Sequence, residues 1–219
     1  DYSEKYDVAE KYPQKLRELQ DEFLVEAGRH NVFPMLKKSF HASNQSPVLS
    51  MYGKRPLQEV VLDFKGIYRP YDIAESNHFN FDATHTCTAL VTREAGDEGV
   101  LFSSGDKFSG FTFYILDNHL KFVYNYAAEE YYTAVSEDEV PAGKTELSYS
   151  FEVAADNTAD LTIYIDGKKQ GHTRIEKFYY MKGFSTTIRA DKYTPVSPEY
   201  EVPFEFTGKI HEIRFHQNA

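Results

Sequence analysis

Four tyrosines crowded into one short stretch are the first feature of the sequence that could do chemistry. They are Tyr124, Tyr126, Tyr131 and Tyr132. A tyrosine ring offers a flat apolar face together with a polar hydroxyl group, a combination suited to stacking on a sugar ring. We therefore predict these residues as candidate glycan contacts. The alternative is that they pack in the core or at a sheet edge.

Acidic side chains suggest two further kinds of chemistry. Asp156, Asp160 and Asp166 lie in and around predicted turns, where loop oxygens could ligate calcium; the alternative is that they are solvated turn residues. The clusters at 129–130 and 137–139 could supply paired carboxylates for glycoside hydrolysis. We disfavour hydrolysis because these acids cluster in linker-like sequence and the chain contains no Trp.

Motifs for nucleophilic, nucleotide or metal chemistry fail on inspection. Gly143-Lys144-Thr145 resembles the end of a phosphate-binding loop, but the glycine required earlier is replaced by Asp138. Cys87 lies on the apolar side of a predicted strand, which is typical of a buried structural thiol. The eight histidines are dispersed along the chain. We therefore predict no catalytic residue and no metal ligand in this chain.

Composition narrows the class of protein. Lys and Arg total 24 against 34 Asp and Glu, so the net charge is −10, which argues against a nucleic-acid partner. No apolar run reaches the roughly 20 residues of a membrane-spanning helix. A single Cys excludes an internal disulfide framework. An aromatic content of 16% favours a folded chain with a sizeable core.

Residues 1–35 are predicted to form a helical segment. Pro13 suits the first helical turn, Gly28 suits the position just after the helix, and Pro34 prevents its continuation. Apolar side chains recur at spacings of three and four and define a docking face: Leu16, Leu19, Phe23 and Leu24. Because one helix with one apolar face is not stable alone, this face must pack on a partner.

The rest of the chain is predicted to be a connector, 36–77, followed by a β-sandwich domain, 78–219. The connector contains one apolar run, 60–62, that suits a short strand. Asp166-Gly167 has the composition of a tight type I′ hairpin turn. Residues alternating between apolar and polar mark the strands of an antiparallel sandwich: 86–92, 111–115, 120–124, 147–153, 161–165 and 213–215.

Short motifs also follow one another in a recognisable order. The chain reads Tyr-Pro-Gln-Lys-Leu at 12–16 and Asn-Val-Phe-Pro at 31–34, then Pro-Val-Ser at 195–197 and Phe-Thr-Gly at 206–208. This order resembles the region that follows the catalytic domain in bacterial arylsulfatases. The resemblance covers nearly the whole chain. One departure is the stretch 35–38, Met-Leu-Lys-Lys, where that family commonly has an acidic pair.

The resemblance implies a mainly β fold, an antiparallel concanavalin/laminin-G-like jelly-roll β-sandwich with an N-terminal α-helix. It also implies that the catalytic domain lies elsewhere. A sulfatase nucleophile, converted to formylglycine beside a divalent cation, sits in Cys/Ser-x-Pro/Ala-x-Arg. The residues after Cys87 lack that pattern, and after Ser185 position 187 is Thr rather than Pro or Ala. The chain itself is therefore expected to carry no cofactor.

Two functions remain open at this point. In the first, the chain is the non-catalytic C-terminal region of an arylsulfatase-like enzyme, and its helix face docks on the catalytic domain in cis; such a parent is periplasmic or secreted. In the second, the sandwich is a lectin-like module that binds carbohydrate. Sulfated carbohydrate would need basic residues on one face, because sulfate recognition favours cations. The candidates are Lys121, Arg174, Lys177 and Arg189.

Overall fold

The computed structural model describes residues 7–30, 59–73, 79, 81, 83–154, 156, 158–178 and 186–217. The chain divides into two compact units, Asp1–Pro47 and Val48–Ala219. The motif at 31–34 with its Pro34, the stretch 35–38, most of the connector and Ser185 lie outside the described residues. No helix in the described ranges is both long enough and apolar enough to cross a membrane.

The first unit contains one helix, α1, Pro13–Arg29. Pro13 occupies the first helical position, as predicted, where its missing N–H costs no hydrogen bond. The helix continues through Gly28 to Arg29, so the prediction that Gly28 lies just beyond its end is wrong. Each end of the helix has an ion pair between residues one turn apart. Lys15 contacts Glu18 at 2.9 Å in the first turn, and Arg29 contacts Glu26 at 2.5 Å in the last.

The second unit consists of two antiparallel six-stranded sheets. Sheet 1 has, in spatial order, the strands β1 Val60–Ile67, β12 Lys209–Gln217, β3 His85–Arg93, β8 Gly143–Val153, β9 Ala159–Ile165 and β10 Lys168–Ile175. Sheet 2 has β2 Tyr71–Asp72, β11 Thr186–Ile188, β4 Gly99–Asp106, β5 Ser109–Leu116, β6 His119–Tyr126 and β7 Glu130–Glu139. Each predicted strand is present, and the run at 60–62 belongs to the longer β1.

Period-two alternation explains how the sheets pack. On β8, Leu147, Tyr149 and Phe151 are at most 1% exposed, while the residues between them face outward. The inner faces of the two sheets meet in an aromatic core, in which the rings of Phe102 and Phe215 lie 4.6 Å apart. Burial of apolar surface of this kind is the main favourable contribution to folding.

Tight turns connect neighbouring strands as the sequence predicts. Asp166 and Gly167 between β9 and β10 have φ angles of +48° and +75°, the left-handed pair that a type I′ turn requires. Asp117 and Asn118 between β5 and β6 repeat this geometry, with φ angles of +53° and +62°. These turns fix the strand register and therefore decide which side chains meet on each sheet face.

Candidate binding surfaces

The predicted docking face of α1 is exposed in the structure. Leu19, Phe23 and Leu24 are 52%, 50% and 55% exposed, and Leu16 is 39% exposed. Large apolar side chains grouped on one helix face are the pattern of a surface that packs against something. Its assignment as a docking face stays a prediction.

The four tyrosines predicted as glycan contacts do not lie together on one exposed surface. Tyr124 and Tyr126 are 0% and 1% exposed because β6 directs both rings into the core, where Tyr124 packs on Phe178 at 5.5 Å. These two residues are therefore corrected to core residues that cannot stack on a ligand. Tyr132 is partly buried beside them, and its hydroxyl donates to Glu130 at 2.7 Å. Tyr131, at 41% exposure, points to the other side of the sheet.

The outer face of β4 and β5 in sheet 2 is covered by the chain's own residues 190–206, called here the covering segment. Strands β4 and β5 are buried along nearly their full length, on both faces. The ring of Tyr200 packs on Tyr114 at 5.2 Å and on Phe204 at 4.8 Å. The backbone N–H of Val100 also donates to the carbonyl of Phe204 at 3.0 Å. The part of the face formed by β4 and β5 is therefore not free for a ligand, whereas Tyr131 on β7 is exposed.

Buried polar groups hold the covering segment in place. The carboxylate of Asp191, 3% exposed, accepts hydrogen bonds from the Tyr200 hydroxyl at 2.8 Å and from the Val196 N–H at 2.9 Å. Burial raises the pKa of Asp191, while both donors oppose that rise. The amide of Asn125, itself fully buried, donates to the Val196 carbonyl at 3.1 Å. Because each of these buried polar groups has a hydrogen-bond partner, the network holds the covering segment in one position.

The four basic residues predicted as sulfate contacts are each paired with an acid. Lys121 contacts Glu199 at 2.6 Å, Arg174 contacts Asp160 at 2.7 Å, and Arg189 contacts Glu205 at 2.9 Å. Lys177 pairs with Glu130. Each predicted cation is therefore already engaged by a carboxylate and not offered to a sulfate group.

The acids predicted as calcium ligands are also engaged by groups of the protein itself. Asp156 accepts from the Thr158 N–H at 3.1 Å, and Asp166 accepts from the Glu146 N–H at 2.8 Å. Asp160 pairs with Arg174 on the neighbouring strand. Among the described residues, no group of three or more His, Cys, Asp or Glu side chains could hold a metal ion.

Neither Cys87 nor the Lys144 motif offers catalytic chemistry. Cys87 is fully buried, and burial raises its pKa, so the reactive thiolate is disfavoured. Gly143-Lys144-Thr145 begins strand β8, so it presents no helix N-terminus to a phosphate.

The outer face of sheet 1 is polar and partly exposed. Its central strands present short hydroxyl side chains between the buried positions, with the ring of Tyr164 beside them: Thr86, Thr88, Thr92, Ser148, Ser150 and Thr162. Register places Thr88 opposite Ser148, and Ser148 opposite Tyr164. The Ser150 and Tyr164 hydroxyls lie 3.5 Å apart. This row supplies hydrogen-bonding groups, and Leu90, with Glu146 and Glu212 opposite it, separates Thr88 from Thr92.

Basic residues end that row at one side of the sheet. Thr92 lies opposite Lys144 of β8 and Lys209 of β12, and His211 Nε2 contacts the Thr92 hydroxyl at 2.8 Å. Partial burial and the charges of Lys209 and Lys144 lower the pKa of His211. Sequence reasoning missed this group, because its members come from three strands that are distant along the chain.

The arrangement of the strands defines the fold class. It is mainly β, an antiparallel concanavalin/laminin-G-like jelly-roll sandwich with an N-terminal helix, as predicted. The sequence matches no protein-family model and no curated protein.

Solved structures share this fold at low identity. Domains LG4-5 of the mouse laminin α1 chain match with a TM-score of 0.49 and 8% identity over 71% of this chain. The SAP-like pentraxin of Limulus polyphemus matches with a TM-score of 0.39 and 13% identity over 72%. Galectin LEC-6 of Caenorhabditis elegans matches with a TM-score of 0.46 and 8% identity over 70%. The chain spans 38%, 69% and 94% of these proteins, respectively.

Proposed function

We propose that this chain is the non-catalytic C-terminal region of an arylsulfatase-like sulfuric ester hydrolase, and that it docks on the catalytic domain through α1. The observation that carries the proposal is the exposed apolar face of the helix, Leu16, Leu19, Phe23 and Leu24. About half of each side chain is still exposed, so completing the burial of all four is worth about 3–6 kcal/mol. The compared proteins do not bear on a sulfatase parent.

The order of motifs supports the same proposal. The helix motif at 12–16 spans the start of α1, the motif at 195–197 lies within the covering segment, and the motif at 206–208 spans its end. Both ends of the resemblance therefore fall on ordered parts of the structure. In this proposal the sandwich stabilises the catalytic domain or shapes the entrance to its pocket, and that domain supplies the formylglycine and the divalent cation.

Docking is tested by one substitution on each side of α1. Leu19 and Val25 are equally exposed, at 52%, but Val25 lies on the opposite side of the helix from the docking face. We expect Leu19→Gln to weaken binding of the chain to the sulfatase catalytic domain by about tenfold, because docking loses about 1 kcal/mol of leucine burial and must bury a polar amide instead. Val25→Gln is the matched control and is expected to bind like the unmodified chain. Calorimetry measures both affinities, and equal weakening by the two substitutions contradicts docking through this face.

Carbohydrate binding by the sandwich is the second candidate. The hydroxyl row with Tyr164 on the outer face of sheet 1 favours it, because this row supplies hydrogen-bond donors and acceptors beside one aromatic ring. We expect saccharides that bind the chain to lose affinity in Tyr164→Ala and to keep it in Tyr131→Ala, a substitution in sheet 2. A glycan array with both variants measures this, and equal binding by the two variants contradicts a site on this face.

A further inference from the structure

The starting observation is a group of basic side chains without acidic partners. On the outer face of sheet 1, Arg214 contacts Asp63 at 3.3 Å and Glu212 at 3.0 Å. Lys144 and Lys209, both exposed, make no ion pair within the described ranges of the chain. Lys107 and Lys169 are also exposed and make no ion pair among the described residues, but only Lys144 and Lys209 of these four lie opposite the same residue.

Strand register brings these lysines to one point. Thr92 on β3 is flanked by Lys144 on β8 and by Lys209 on β12, each directly opposite it. Side chains directly opposite on antiparallel strands have Cβ atoms about 5 Å apart. The flexible four-carbon stems of the lysines therefore allow both ammonium groups to converge above the threonine hydroxyl.

His211 completes the group from the β12 side. A register irregularity between Ile210 and Glu212 adds one residue to β12, and the His211 imidazole contacts the Thr92 hydroxyl at 2.8 Å. Bulges of this kind re-aim a side chain and recur next to functional sites. The four residues thus offer two ammonium groups, a hydroxyl group and an imidazole.

We propose that Lys144, Thr92, Lys209 and His211 form a binding site for a sulfate group, either as the free ion or as the ester of a saccharide. A tetrahedral dianion would accept hydrogen bonds from both ammonium groups and from the hydroxyl, and would neutralise their mutual repulsion. The choice of sulfate over other oxyanions rests on the proposed function as a sulfatase region. The site itself does not depend on docking through α1.

Charge coupling gives this site a distinctive pH dependence. Partial burial and the charges of the nearby lysines lower the pKa of His211, so an anion that neutralises the lysines should raise that pKa again. Sulfate binding should therefore take up a proton, and affinity should increase as the pH falls through the His211 pKa. Two carboxylates share this sheet face, Glu146 on β8 and Glu212 on β12, and Lys65 of β1 lies opposite Glu212. These three charged residues are unchanged in the variants below, so their effect on the pKa of His211 is the same in each protein.

The test follows His211 by NMR in the intact chain. We expect sodium sulfate, compared with sodium chloride at equal ionic strength, to raise the pKa of His211 by about one unit in a saturable way. Replacing both lysines, Lys144→Gln with Lys209→Gln, should weaken the sulfate affinity by about tenfold. The control is Lys11→Gln with Lys107→Gln, which removes the same charge from two exposed lysines outside sheet 1 and should leave the affinity unchanged.

Galactose 6-sulfate and inorganic phosphate are then tested as alternative ligands, with galactose as the control that lacks the sulfate group. Tighter binding of the sulfated sugar than of inorganic sulfate identifies a saccharide ester as the ligand, and the reverse order identifies the free ion. Equal loss of affinity in the site and control variants overturns the site, as does a sulfate response no larger than that to chloride. Stronger binding of phosphate than of sulfate overturns the assignment to sulfate. None of these results changes the effect that Leu19→Gln is expected to have on docking to the catalytic domain.

Discussion

Acidification from pH 6.5 to pH 4 is expected to destabilise the folded sandwich by about 3 kcal/mol through His85 alone, because each unit of pKa difference corresponds to about 1.4 kcal/mol. His85 is 3% exposed, and burial lowers its pKa from 6.5 to about 4. The Nδ1–H donates to the Ala83 carbonyl at 2.7 Å, so Nε2 accepts from the Tyr149 hydroxyl at 3.0 Å. The neutral ring therefore has a partner at each nitrogen.

The direction of this pH dependence follows from which state binds the proton. Between pH 6.5 and pH 4 the unfolded chain protonates its exposed histidine while the folded chain does not. The unfolded state is then favoured as the pH falls, and the stability from neutral His85 is complete only above pH 6.5. Asp191 acts in the opposite direction, because its pKa is raised in the folded state. The quantity to measure is therefore the difference between the unmodified chain and a His85 variant.

Urea unfolding at several pH values provides that difference. His85→Gln removes the titrating group and keeps hydrogen-bonding atoms near Ala83 and Tyr149. We expect this variant to be less stable at pH 7 and to lose about 3 kcal/mol less than the unmodified chain between pH 6.5 and pH 4. Parallel stability curves for the two proteins across this range would show that His85 is not buried in its neutral form.

Replacing Gly110 by alanine is expected to cost about 3–5 kcal/mol of folding free energy. Gly110 pairs with Gly105 across β4 and β5, and its φ angle is +149°. A Cβ atom at Gly110 would lie 2.3 Å from the Ser104 carbonyl oxygen and 2.7 Å from the Gly105 Cα. Both contacts are with backbone, so no side chain can move aside to relieve them.

Gly143 separates the steric part of this effect from the conformational part. Its φ angle is +100°, but a Cβ atom there would have no neighbour within 4 Å. Gly143→Ala should therefore cost only the backbone strain, about 1–2 kcal/mol. Thermal or urea unfolding of the two variants compares the costs. A Gly110→Ala protein as stable as Gly143→Ala would mean that β4 and β5 are not paired as described.

Periodicity in the sequence was sufficient to predict the helix and most of the strands. The alternation of Leu147, Tyr149 and Phe151 predicts β8 because burial on one sheet face has a period of two. The spacing of Leu16, Leu19 and Phe23 predicts α1 in the same way. Such patterns depend only on local geometry, so one sequence is enough to recognise them.

The binding surfaces depend on contacts between distant residues, and for that reason the sequence predicted them poorly. Tyr124 and Tyr126 have the composition of a sugar platform, but strand β6 directs both into the core. A usable signal was present in β4 and β5, where apolar residues on both faces indicate a sheet covered on both sides. Nothing local links Lys144 with Lys209, since only the register of three strands brings them to Thr92.

The most direct test of the proposed sulfatase parent is the coding sequence immediately upstream of Asp1. The proposal predicts that the same reading frame continues upstream into a catalytic domain that contains Cys/Ser-x-Pro/Ala-x-Arg and an Asp pair suited to a divalent cation. A frame that begins at this chain, or that encodes an unrelated domain before it, would contradict the proposal. In that case α1 would have no sulfatase domain in cis on which to dock.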